Sequence, residues 1–184
     1  MALRNLLWFY PINKLIIKKI KGEENIPNKA PFLITSNHES RCDHWLIIYP
    51  ILKKLGKKVH FVAIPRWWYN FFQFLRYGFA EIIPMVNPKK AYKDAKQAIE
   101  SGAIVAIFPE GRLERTNRTK NPKTGAIRLA VETKVPILPI GIKFFYRPFS
   151  CTINIGKPIY IKKKSNIKKQ TFKLMKYIYM LRDN

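Results

Sequence analysis

Short apolar runs alternate with longer segments of helical periodicity along this 184-residue chain, the pattern of an α/β layered domain. Residues 3–20 set Leu3, Leu6, Leu7, Phe9 and Tyr10 ahead of Lys18, Lys19 and Lys21, which reads as an amphipathic helix. Residues 22–31 are polar and loop-like, and residues 31–36 (Pro-Phe-Leu-Ile-Thr-Ser) predict a strand that runs out at Asn37-His38. Asp43 then opens a predicted helix through Lys54, stopped by Gly56. Residues 59–63 and 80–85 predict two more strands, with an aromatic-rich helical or irregular stretch over 66–77 between them. The clearest helix is 89–101, where Ala91, Ala95 and Ala98 form a stripe beside Tyr92 and Ile99 and Gly102 stands at the end. Residues 103–108 form an unbroken apolar run, as in a central strand buried on both faces.

A polar, arginine-rich loop over 109–121 precedes a predicted helix at 123–134 and strands near 136–140, 151–155 and 158–161. A basic C-terminal helix follows, with Phe172, Met175 and Tyr179 on one face. No internal repeat or low-complexity linker divides the chain, so the expectation is one domain over 1–184, with 1–21 as a membrane-contacting amphipathic helix.

Composition supports a packed core and adds a strong bias. The chain is 47% hydrophobic and 14% aromatic, and a domain near this length buries roughly 70% of the surface its unfolded chain exposes. Its 35 Lys and Arg against 11 Asp and Glu leave a formal charge of +24. Such a surface attracts polyanions: nucleic acid, anionic lipid headgroups or an acidic protein. Cys42 and Cys151 are too few for a disulfide framework and read as free thiols in a reducing compartment. The N-terminal apolar stretch contains Arg4 and lacks a small-residue cleavage site, so no secretory leader is expected. The longest apolar region, 61–86, is broken by Pro65, Arg66, Arg76, Glu81 and Pro84. A spanning helix needs about 20 nearly uninterrupted apolar residues, so membrane contact is expected to be peripheral or monotopic.

The first candidate for chemistry is Asn37-His38-Glu39-Ser40-Arg41-Cys42-Asp43, where a strand gives way to a helix. On one continuous helix, residues five apart sit about 140° from each other and cannot meet. If His38 leaves the strand and the chain turns back, Asp43 in the first helical turn can reach the imidazole. A carboxylate on one ring nitrogen fixes the tautomer and leaves the other free to take a proton from an alcohol. The spacing alone equally accommodates a histidine in a loop and an aspartate capping a helix. His38, Cys42, Asp43 and His44 also cluster, but His60 stands alone and no second ligand group has zinc spacing, so no metal is expected.

The second candidate is Phe108-Pro109-Glu110-Gly111-Arg112-Leu113-Glu114-Arg115, again at a strand end. Gly111 lets a ligand approach the backbone, and Arg112, Arg115 and Arg118 have the fork geometry for a phosphate. A solvated basic loop is the competing reading.

Together, in this order, the motifs resemble the glycerolipid acyltransferase family, typified by 1-acylglycerol-3-phosphate acyltransferases. That family carries Asn-His-x4-Asp, then Phe-Pro-Glu-Gly with a following arginine, then Val-Pro-Ile-x-Pro. Here these are Asn37-His38 with Asp43, Phe108-Pro109-Glu110-Gly111, and Val135-Pro136-Ile137-Leu138-Pro139. The resemblance covers about residues 30–145. It implies a glycerol-3-phosphate acyltransferase-like fold, a single α/β domain whose mixed, mostly parallel sheet is flanked by helices. It also implies His38 as general base, Asp43 as its orienting partner, and Glu110, Gly111, Arg112 and Arg115 around the acceptor's glycerol-phosphate end.

Two departures bear on the acceptor. The third motif reads Glu110-Gly111-Arg112-Leu113-Glu114 where the family usually has Glu-Gly-Thr-Arg-Ser, a form similar to the branch that reacylates lysophospholipids such as lysophosphatidylethanolamine. Two cations usual near Ile64 and Met85 are missing, and Arg66 or Arg76 would have to compensate. The implied reaction passes a fatty acyl group from an acyl-CoA or acyl carrier protein thioester to a lysophospholipid hydroxyl, foremost 1-acylglycerol-3-phosphate, with no bound cofactor.

The rings of Trp67, Trp68, Tyr69, Phe71, Phe72, Phe74, Tyr77 and Phe79, with Trp8, Phe9 and Tyr10, are candidates for a membrane-interface surface or for core. Each basic residue near an anionic leaflet contributes on the order of 1 kcal/mol, so an anionic membrane is an expected partner at the cytoplasmic face. A non-catalytic basic protein of membranes or nucleic acid is the competing class. No recognisable nucleic-acid module accompanies the charge, which makes nucleic acid the lesser partner.

Overall fold

The computed structural model describes residues 11, 13–64, 80–113, 121–146, 149–162 and 166–184. Its strands are β1 (Ile17–Lys21), β2 (Phe32–Ser36), β3 (Val59–Ala63), β4 (Ala80–Pro84), β5 (Ile104–Ile107), β6 (Ile137–Tyr146) and β7 (Phe149–Ile155). Its helices are α1 (Asp43–Leu55), α2 (Pro88–Glu100), α3 (Gly125–Thr133) and α4 (Ile167–Asp183). One sheet orders the strands β1-β7-β6-β2-β5-β3-β4. The β6–β7 pair is antiparallel and the other neighbours are parallel, so the expected mixed, mostly parallel sheet is present.

The period-two geometry of a strand divides the core in two. Phe32 and Ile34 of β2, Ala106 of β5 and Ile140 of β6 pack with Leu46, Ile47 and Ile51 of α1 on one face. Leu33, Val105 and Ile137 pack on the other with α2, α3 and α4, through Ala95, Ile99, Ile127, Leu174 and Ile178. Each large aliphatic chain buried this way contributes about 1.5–3 kcal/mol. Because both faces are covered, β2 is apolar without alternation over Phe32, Leu33 and Ile34, and every one of its residues is buried.

Local chemistry sets the helix ends. Asn87 caps α2 through its side chain, which accepts from Lys89 N and Lys90 N, and Pro88 occupies the first turn. Gly56 closes α1 in the left-handed conformation at φ 62. Gly141 of β6 is glycine for another reason: an added Cβ would lie 2.6 Å from the carbonyl carbon of Leu181, so α4 sits directly on the strand backbone.

Three expectations change. The N-terminal helix does not run to residue 20: residues 13–16 are helical, but Ile17–Lys21 is a strand beside β7. Ile17 enters the core there, and β-branched residues suit a pleated edge better than a helix. The strand expected near 158–161 reduces to one antiparallel bridge, Ile137↔Ile159. Conversely β6 runs well past residue 140, its continuation hidden in the sequence by Pro139 and Gly141. Pro139 is tolerated because the β7 ladder begins only at Ile140↔Ile155.

The aromatic stretch over 66–77, Phe79 and the rings of Trp8, Phe9 and Tyr10 lie outside the described residues. Among the described residues no helix is long and apolar enough to cross a membrane.

Candidate active site

Parallel pairing of β2 with β5 sets Thr35 opposite Ile107, so His38 and Glu110 leave neighbouring strand ends on one edge of the sheet. Asn37 makes the exit. Beyond the last β2–β6 partners, Ser36↔Ile140, its side chain donates from Nδ2 to Ile142 O and accepts from Ile142 N, both at 2.8 Å. The buried amide thus acts as one further rung of the ladder, which frees the main chain to turn toward α1.

That turn brings the spaced pair together. His38 Nδ1 lies 2.9 Å from Asp43 Oδ2, and the same oxygen accepts from Ser40 N at 2.9 Å. Asp43 is fully buried whereas the His38 side chain is 23% exposed, so only the imidazole can meet a substrate. Burial pushes the Asp43 carboxyl above its usual range, and the hydrogen bond and charge of His38 and the Ser40 N–H pull it back. A carboxylate in the first turn of α1 also meets the positive end of the helix dipole. The imidazole stacks on Phe108, with centroids 4.3 Å apart and planes at 20°, which fixes the ring's tilt.

The second motif turns sharply: Gly111 N donates to Phe108 O at 3.0 Å, and Gly111 adopts φ 70, where a side chain would be strained. Glu110 was expected in the acceptor pocket, but the fold uses it elsewhere. It is 4% exposed, Oε2 accepts from His38 N at 2.9 Å, and Oε1 accepts from Tyr179 Oη at 2.7 Å. With a protein donor on each oxygen, this carboxylate braces the main chain of His38.

A cavity of about 280 Å³ opens beside the imidazole. Its walls are apolar, from β3, β4 and the end of β5, including Phe61, Ala63, Ile82 and Phe108; His38, Arg41, His44, Gly111 and Arg112 supply its polar lining. The structure therefore gathers His38, Gly111 and Arg112 at one cavity and sets Asp43 and Glu110 outside its lining as supports of His38. Arg66 and Arg115 lie outside the described residues. Imidazole, cations and an apolar wall are what is needed to deprotonate a hydroxyl on an anionic amphiphile.

Sequence reasoning missed Arg41 and His44 as cavity residues, although both lie within or next to the first motif. It also missed what α4 does. Arg182 pairs with Glu39, whose Oε2 accepts from Phe144 N at 3.1 Å. Burial raises the Glu39 carboxyl, against the pull of the Phe144 N–H and Arg182. No local pattern signals pairings this distant in the chain.

The family model described as Acyltransferase matches residues 18–143. A 1-acyl-sn-glycerol-3-phosphate acyltransferase of Borreliella burgdorferi is 28% identical over 84% of this chain and 62% of its own length. The chloroplastic 1-acyl-sn-glycerol-3-phosphate acyltransferase of Arabidopsis thaliana is 32% identical over 73% of this chain and 36% of its own. The chain thus spans less than two thirds of either relative. The crystal structure of the 1-acyl-sn-glycerophosphate acyltransferase of Thermotoga maritima superposes with a TM-score of 0.68 at 22% identity, over 98% of this chain and 76% of that one, a likeness of fold.

Proposed function

The chain belongs to the Acyltransferase family, and from that premise we propose that it moves a fatty acyl group from a thioester donor to the free hydroxyl of 1-acylglycerol-3-phosphate, forming phosphatidic acid. The observation that carries this reading is the His38–Asp43 contact at the rim of a part-apolar, part-cationic cavity.

Asp43 holds Nδ1, so Nε2 is the nitrogen that takes the acceptor's hydroxyl proton. The hydroxyl oxygen forms its bond to the thioester carbonyl carbon, the C–S bond breaks, and the departing thiolate recovers the proton from the imidazolium. Asp43 stabilises that imidazolium while it exists. Arg112 and Arg41 supply positive charge for the acceptor's phosphate, and the apolar walls accept acyl chain. Acyl-CoA and acyl carrier protein are both anionic, and a chain of +24 draws either. The same charge supports a peripheral seat on an anionic membrane at its cytoplasmic face.

The test is an assay of the purified protein with 1-acylglycerol-3-phosphate and lysophosphatidylethanolamine, each with acyl-CoA and acyl carrier protein donors, for wild type and His38→Ala. Turnover of 1-acylglycerol-3-phosphate that falls by at least about a hundredfold in the variant supports the reading. Turnover confined to lysophosphatidylethanolamine would replace the acceptor. Salt-sensitive membrane binding with no turnover, or activity indifferent to His38, would sink the proposal.

A further inference from the structure

The imidazole of His38 is held at two points. Asp43 holds the ring, and Glu110 holds the main chain that carries it, through His38 N to Oε2 at 2.9 Å. Glu110 sits on the turn after β5, and a carboxylate on a turn needs its own anchor. The anchor is Tyr179, whose hydroxyl donates to the other oxygen, Oε1, at 2.7 Å. Tyr179 is 5% exposed, so α4 delivers this donor through the core and not from solvent. It also lies outside residues 18–143, the span that the family model matches.

From this chain of contacts we propose that Tyr179 is a positioning residue for His38, acting through Glu110. The proposal rests on His38 being the base in acyl transfer. The carboxylate is buried, so each of its donors matters: a donor lost there is not replaced by bulk water. Removing the phenol hydroxyl takes the donor from Oε1 of Glu110, so the carboxylate that accepts from the His38 amide is held less firmly. The imidazole then samples orientations in which Nε2 misses the substrate hydroxyl. Positioning errors of this kind reduce turnover more than they reduce substrate binding. The second contact of α4, Arg182 with Glu39 next to His38, makes the helix a clasp over both motif loops.

Tyr179→Phe isolates the hydroxyl, because the ring and its packing remain. We expect kcat to fall about tenfold or more with KM changed by no more than about twofold. Hydrogen exchange of the His38 amide, read on the full chain, should accelerate by a similar factor. Against Glu110→Ala, the further substitution Tyr179→Phe should cause no additional loss of kcat, since the two act in series. Unchanged kcat with only a lowered Tm would reduce Tyr179 to packing and overturn the proposal. A full additional loss in the Glu110→Ala background would do the same. If wild type turns over no lysophospholipid, the functional reading fails separately. Faster His38 amide exchange in Tyr179→Phe would still support the linkage, and unchanged exchange would overturn it.

Discussion

Replacing Asn37 by aspartate changes one NH2 for one oxygen in a buried, two-bond clamp, and the outcome depends on pH. Asn37 is 1% exposed and both of its bonds to Ile142 are 2.8 Å long. An ionised carboxylate keeps the bond from Ile142 N but turns an acceptor toward Ile142 O, with the charge buried. A protonated carboxyl has the same shape and restores both bonds. The folded state therefore favours the protonated form, and the introduced group's folded pKa rises above the unfolded value of about 3.9. A group with a raised folded pKa is least costly at low pH, and its cost grows as pH climbs from the unfolded toward the folded pKa. For a rise of about three units, at about 1.4 kcal/mol per unit, Asn37→Asp is about 4 kcal/mol less stable than wild type at pH 7.5 and about 1.5 at pH 5. A domain stable by about 5–15 kcal/mol still folds. Asn37→Ala is the control: it orphans a buried N–H and a buried C=O at about 1–3 kcal/mol each, at either pH. Urea denaturation of the three proteins at pH 5 and 7.5, compared at equal pH, gives these differences directly. An Asn37→Asp deficit equal at both values, within about 1 kcal/mol, would refute the clamp.

Three further outcomes are expected. Asp43→Asn keeps the shape beside His38 but supports the wrong tautomer, so kcat should drop by about a thousandfold or more with little change in KM, as steady-state kinetics would show. Gly141→Ala would press a Cβ to 2.6 Å from the Leu181 carbonyl carbon. Overpacking of this kind costs about 1–3 kcal/mol, or about 3–10 °C in Tm by calorimetry, and an unchanged Tm would show that α4 does not rest there. Burial pushes the Cys151 thiol up to about 12 and raises the half-buried Cys42 as well. Native protein at pH 8 should therefore react slowly with a thiol reagent at Cys42 and not at Cys151, and two fast native thiols would contradict the packing.

The elements that stood out in the sequence are those whose own periodicity decides them. The alanine stripe of α2, the stop at Gly56 and the unbroken apolar run of β5 were all legible, because packing on both faces of a sheet leaves that signature. Elements decided by a partner were not. Ile17–Lys21 is a strand because β7 offers it an edge, and β6 continues through Pro139 and Gly141 because β2 and β7 flank it. The site divides in the same way. His38 and Asp43 were legible as a pair because the geometry of turning back is local. In the sequence Glu110 reads as a pocket residue, and nothing nearby announces that His38 N and Tyr179 Oη each donate to one of its oxygens. Arg41 and His44 were passed over because a cavity wall is a property of three strands and a loop together.

The central place of β2 also has a consequence in time. Its stretch of Phe32, Leu33 and Ile34 is made early, but the contacts that complete its end come much later: Glu110 is 72 residues beyond His38, and Ile142 is 105 beyond Asn37. At about 5–20 residues per second, a chain leaving the ribosome carries this strand with one edge bare for about 5–20 seconds, and with both bare for about the first 4–14 of them. Through that first interval a fully apolar segment lacks both sheet partners, the condition under which strands pair with the wrong chain. Nascent chains stalled before β5 should therefore be held by chaperones or aggregate, whereas those stalled after β6 should not. The pairing that gives the site its rigidity is also what makes its synthesis the hazardous stage of this protein's life.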